Sequence, residues 1–176
     1  MQAPTHILIG ALIQRTVVRR VPRRWAPWVG APLALLSHGV LDKLARFTYH
    51  PPEARWRDPF WRAFHAAVLA GSVAAFRRYG RRFKWGVGFA VAQDLEWVVA
   101  HGARTIRPGT DLFGAASPHR LMSRALDRIP GVRALERLPR WTDRREAALV
   151  EVGLVCLALW LLRDGRGESE RHVSLP

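Results

Sequence analysis

The chain has 176 residues, 49% of them hydrophobic, with 28 Lys and Arg against 14 Asp and Glu, for a formal net charge of +14. That length supports one domain with a core of its own, and that charge requires an anionic partner or surface, either nucleic acid or phospholipid head groups. The single cysteine, Cys156, excludes an intramolecular disulfide framework and a thiolate zinc finger.

Taken in order, the first apolar segment runs from Thr5 to Val18, with Thr5 as its expected N-cap and His6 in its first turn. No basic stretch and small-residue cleavage site precede it, so Thr5 onward is expected in the mature protein. Arg15, Arg19, Arg20, Arg23 and Arg24 follow with no acid among them, and Pro22 marks a turn. The second segment, 25–41, makes about 26 Å of helix at 1.5 Å per residue, against a hydrocarbon core of about 30 Å.

Its end carries His38 and Asp42, four residues apart and so one turn above each other on one helical face. An imidazole nitrogen and a carboxylate oxygen can then reach the same ion. His50 comes shortly after, and Pro51 and Pro52 cannot continue a helix, which folds the chain back toward the helix end. A helix-terminal ion pair with an unrelated loop histidine explains this stretch equally well.

The third segment, Trp61 to Phe76, contains His65 and closes in Arg77, Arg78, Arg81, Arg82 and Lys84, again without an acid. The fourth, Trp85 to His101, holds Asp94 and Glu96, and carboxylates inside an apolar segment are costly without a partner or a task. After turns at Pro108, Gly109 and Gly114, a helix is predicted from Pro118 to Ile129. There Arg120, Arg124 and Arg128 recur every four residues beside Leu121, Met122 and Leu126, a pattern that suits a lipid surface or the surface of a soluble protein. The last apolar segment, Ala147 to Leu162, contains Glu151, and residues 164–176 form a charged tail expected to be disordered.

No strand alternation, Gly-rich phosphate loop or Gly-x-Ser-x-Gly elbow is found. The expected fold is all-α, a single domain over 1–163 built as an antiparallel bundle of about five apolar helices. It is expected to be membrane-embedded, with the amphipathic basic helix in addition. Trp25, Trp28, Trp56, Trp61, Trp85 and Trp97 are then interfacial anchors, or equally large core aromatics.

Antiparallel packing makes a topological prediction. The two acid-free basic connections fall at one end of the bundle. His6, His38, Asp42, His50, His65, His101, His119 and Glu151 fall at the other. Asp94 lies seven residues before His101, on the same helical face, and can reach a recessed site. Glu96 is rotated by roughly 200° from Asp94, so Asp94 is the preferred ligand, while Glu96 and His101 are the candidates for acid–base work.

Thr5-His6-Ile-Leu-Ile-Gly, the element Leu36-Ser37-His38-Gly-Val-Leu-Asp42 with His50 next to proline, and Gln93-Asp94-Leu95-Glu96-Trp97 resemble the membrane-bound metal-dependent hydrolase family related to YdjM. More remotely, the His-x-x-x-Asp spacing with a further histidine resembles zinc-dependent phospholipase C. The resemblance implies one or two divalent ions held by His6, His38, Asp42, His50 and Asp94, with His119 as a further ligand. The His-Arg-Gly-x-Thr-His-Ser element of better-known members is absent, and Pro118-His119-Arg120 offers one histidine in its place.

Imidazole and carboxylate ligands suit Zn or another first-row divalent ion, which lowers the pKa of a coordinated water toward ~7. A phosphoester or phospholipid-like substrate fits, because nearby arginines stabilise charge on phosphoryl oxygens. The location that goes with this reading is the membrane, as an integral protein of a bacterial inner membrane. Two other classes share the features: a non-enzymatic membrane protein with a structural or transport ion site, and a soluble basic nucleic-acid-binding protein. The second is disfavoured because no DNA or RNA module is recognisable.

Overall fold

The computed structural model describes residues 1–107, 117–135 and 137–164. Among these there are seven α-helices and no strand, as the apolar periodicity requires. Helix α1 spans Ala3–Arg20, α2 Ala26–Leu44, α3 Pro59–Tyr79 and α4 Lys84–Ile106. Two short helices follow, α5 Pro118–Leu126 and α6 Pro130–Leu135, and α7 covers Ala148–Asp164.

Local chemistry sets the ends. Helix α1 is capped at Gln2, not Thr5, because Pro4 fits the first turn, where its missing N–H costs nothing. Thr5 is then freed to donate its hydroxyl to Glu151 Oε1 on α7. The Asp58 carboxylate accepts the Phe60 N–H at 2.9 Å and starts α3 ahead of Pro59. The helix expected to reach Ile129 stops at Leu126, since Pro130 disfavours helical backbone just before it.

Helix α1 is the hub and packs on α2, α3, α4 and α7. Its core residues Ile7, Leu8 and Ala11 meet Tyr79, Val87 and Leu162. Gly10 and Gly86 let α1 and α4 approach backbone to backbone: a Cβ on Gly10 would strike the Gly86 carbonyl and lie 2.6 Å from the Ala90 Cβ. Gln14 Oε1 accepts the Gly86 N–H at 2.8 Å, one of the first-turn donors of α4 that lack a helical partner.

These contacts fix helix directions. Thr5 meets Glu151 and the Arg15 guanidinium donates to Leu161 O at 2.7 Å, so α1 and α7 run parallel. Gly30 lies against Trp85 and His38 against Ala90, so α2 and α4 run parallel to each other. With Gln14 beside Gly86, α1 and α4 are antiparallel. These directions agree with the antiparallel order expected for the apolar segments.

No described helix is long and apolar enough to cross a membrane. The apolar runs are interrupted by the polar residues they carry inward: α2 holds Ser37, His38, Asp42 and Lys43 within its 19 residues. Helix α7 is the most apolar but has 17 residues, against about 20 for a hydrocarbon core. The outward faces are nonetheless apolar, with Leu69 67%, Val98 57%, Leu149 72% and Trp160 57% exposed. Of the tryptophans, Trp28 is 77% exposed, whereas Trp61 is 8% exposed and packs with Tyr49. The charged tail beyond 164 lies outside the described residues.

Candidate metal centre

Three elements deliver the central side chains: the start of α1 brings His6, the last turns of α2 bring His38 and Asp42, and α4 backs them with Ala90 and Asp94. His38 Nδ1 lies 2.6 Å from the Ala90 carbonyl. A carbonyl only accepts, so Nδ1 carries a proton and the Ala90 carbonyl orients the ring with Nε2 facing inward. That Nε2 is 3.2 Å from Asp42 Oδ2 and 3.8 Å from Asp94 Oδ1. Backbone orientation of the far ring nitrogen is the usual support for a metal-binding histidine.

The His6 ring stacks on His38 with centroids 4.0 Å apart and planes 15° from parallel. Its Nε2 is 3.3 Å from Asp42 Oδ1, yet neither ring nitrogen has an aligned hydrogen-bond partner. An imidazole buried to 0% exposure with both nitrogens orphaned is costly. One ligand atom from each of His6, His38 and Asp42 lies within 4.8 Å of the other two. A cation among them would accept the orphaned lone pair and the carboxylate charge together, and two imidazoles with a carboxylate match the preferences of Zn and its first-row neighbours.

A cation bound here would take the place that the Met1 ammonium holds on Asp42. The Met1 amino group donates to Asp42 Oδ1 at 2.8 Å, so Asp42 already gathers one positive group and two imidazoles. His119, at the start of α5, is half-exposed and places Nδ1 3.9 Å from Asp42 Oδ2. Its ring stands edge-on to His38 at 6.4 Å. Asp94 Oδ2 is buried without a partner.

Other candidate residues lie apart from this group. His50 Nδ1 faces the Gln2 side-chain amide nitrogen at 3.2 Å, and its backbone N–H donates to Thr142 O at 2.9 Å. Desolvation, then the Met1 ammonium, hold the His50 imidazole below its ordinary pKa. His65 Nδ1 donates to Trp61 O at 2.8 Å and its ring stacks on that tryptophan. Glu96 accepts the Ser117 hydroxyl and, at 2.9 Å, the His119 N–H, so both its oxygens hold the first turn of α5. Glu151 accepts from Thr5 and, at 3.3 Å, from the Gln2 N–H. The His101 side chain lies outside the described residues.

An open recess of about 220 Å³ reaches the Asp42 carboxylate and is lined by Gly39, Asp42, Lys43, Gln93, His119 and Ser123. It gives solvent a route to one side of the cluster while His6 and His38 stay sealed. Lys43 Nζ, at its wall, is 2.5 Å from Asp127 Oδ1. Sequence reasoning did not assign Lys43, Gln93 as a recess residue, or the Ala90 carbonyl to the site. The carbonyl could not be found that way, because a backbone acceptor leaves no mark in residue type. No family model, no curated protein and no solved structure matches the chain.

Proposed function

We propose that the chain is a membrane-embedded metal-dependent hydrolase acting on a phosphoester of phospholipid-like character. His6, His38 and Asp42 would hold a divalent ion, Zn or a first-row neighbour, with Asp94 and His119 adjoining. The observation that carries this reading is the convergence of three ligand atoms to within 4.8 Å from two separate helices, beside a recess open to solvent. When bound, the ion supplies Lewis acidity, making water nucleophilic near neutral pH and offsetting charge on a phosphoryl oxygen.

The chain's own residues have separable tasks. Asp42 would supply the negative charge that retains the cation, and the Ala90 carbonyl holds the His38 ring with Nε2 turned inward. Asp94 Oδ2, buried and unpartnered beside the His38 ring, is a polar atom that a nearby cation would satisfy. Glu96 acts as a positioning residue: by capping α5 it sets His119 at the mouth of the recess. A membrane location is supported by the apolar outer faces of α3, α4 and α7.

The test is elemental analysis of detergent-purified protein, wild type against His38→Ala and Asp42→Ala, followed by assay on a chromogenic phosphodiester with and without chelator. Metal in the wild type that both variants lack, together with chelator-sensitive hydrolysis, is the expected result. A metal-free wild type that takes up no Zn on titration would end the proposal, and extraction without detergent would end its membrane part. One observation favours a second reading, a structural or transport ion site: His6 and His38 are 0% and 1% exposed, so Asp42 alone of the three lines the recess. Metal binding without any hydrolysis would select it.

A further inference from the structure

The opposite end of the bundle carries the α1–α2 and α3–α4 connections. Residues 19–24 contain four arginines and residues 77–84 five cations, with no acid in either stretch, and all nine side chains are exposed. The two connections form one surface, because Gly30 near the start of α2 lies against the Trp85 ring in the first turn of α4. Among the described residues, the topology brings one acidic residue, Asp164 at the close of α7, to this end.

Two further features say what covers this surface. Trp28 and Trp25 are 77% and 53% exposed beside it, and the Arg24 guanidinium sits 5.9 Å over the Trp25 ring. Directly along each helix the outer surface turns apolar, with Val29 and Leu33 on α2 and Val73 and Phe76 on α3 all more than two-fifths exposed. A cationic cap, an aromatic collar and an apolar wall in that order match the head group, interface and acyl layers of one leaflet. A nucleic acid would satisfy the cap and leave the collar and wall uncovered.

We propose that this end is a docking surface for anionic phospholipid head groups of the phosphatidylglycerol class. Arginines of both connections contact the phosphates, Trp25 and Trp28 lie at head-group depth, and the acyl chains run down the apolar wall. The inference does not depend on the metal site, which lies at the other end.

The experiment uses the full chain in neutral detergent and follows the anisotropy of phosphatidylglycerol and of phosphatidylcholine carrying the same acyl-chain fluorophore. Phosphatidylglycerol is expected to half-saturate at about tenfold lower concentration or less, with the gap narrowing as salt rises. Arg23→Gln, Arg24→Gln, Arg81→Gln and Arg82→Gln together should close the gap, and lysine at the same four positions should keep it. Should the fourfold variant fail to fold by circular dichroism, the two loop pairs made separately should each narrow it. Equal affinity for the two lipids in the wild type, or a gap unchanged in the folded glutamine variants, overturns the proposal. So does displacement of the labelled lipid by single-stranded RNA at lower phosphate concentration than by unlabelled phosphatidylglycerol.

Discussion

The two ends of this bundle treat charge in opposite ways. At one end, Asp42 is shared by His6, His38 and the Met1 amino group, and these charges are drawn inward and largely sealed. At the other, arginines of two connections point outward with no acid within either stretch. Buried polar groups must find partners within the fold, so the first end defines a site of fixed geometry. Exposed arginines are satisfied by water or by any anion, so the second end defines a surface. Function that needs placement to a few ångströms belongs at the first, and adhesion, which needs only summed charge, at the second.

The comparison breaks most sharply at Asp42. Asp42→Ala should weaken Zn binding by more than about 100-fold, beyond what loss of a supporting partner costs, while Arg23→Gln with Arg24→Gln leaves it unchanged. Isothermal titration with Zn reads both, and equal losses in the two variants would erase the distinction between the ends.

A smaller effect is expected midway, where the ends are mechanically joined. Gly10→Val forces a side chain onto the α4 backbone and should lower stability by roughly 1–3 kcal/mol. Gly88→Ala, with nothing within 4 Å of the added Cβ, should be neutral or raise stability by about 0.4–1 kcal/mol. Thermal unfolding in detergent separates them, and similar melting shifts would mean that α1 and α4 do not meet at Gly10 and Gly86.

Smaller still, Glu96→Gln removes the charge that holds the first turn of α5. A loss of about 1 kcal/mol, the usual worth of such a cap, should show as faster amide exchange confined to residues 118–126. Slower exchange there, or faster exchange throughout the bundle, would remove Glu96 from its positioning role. Least of all, His65→Ala should leave Zn affinity untouched, since its ring is spent on Trp61.

Much of the helix order could be read from the chain. Each of the five apolar segments became a helix, and the short α1–α2 and α3–α4 connections make those pairs reverse direction, whereas the long α2–α3 and α4–α7 connections leave the remaining directions to packing. The i, i+4 spacing of His38 and Asp42 was informative for the same reason: a local repeat survives whatever the tertiary context does. Thr5 and Glu96 show where that logic stops. Thr5 has the chemistry of an N-cap and serves as a buried donor to Glu151. Glu96 has the chemistry of a base and serves as a cap, because α5 happens to begin beside it.

By itself, the sequence determined the helical class, the reversal of direction across its two short connections and the segregation of arginines from carboxylates, since these depend on periodicity, chain connectivity and composition along the chain. Only the tertiary structure decided that His6 stacks on His38, that the Ala90 carbonyl orients the His38 ring, and that His50 and His65 stay out of the cluster. Those outcomes turn on helix rotation and on backbone atoms common to every residue, which packing sets and no pattern of side chains encodes.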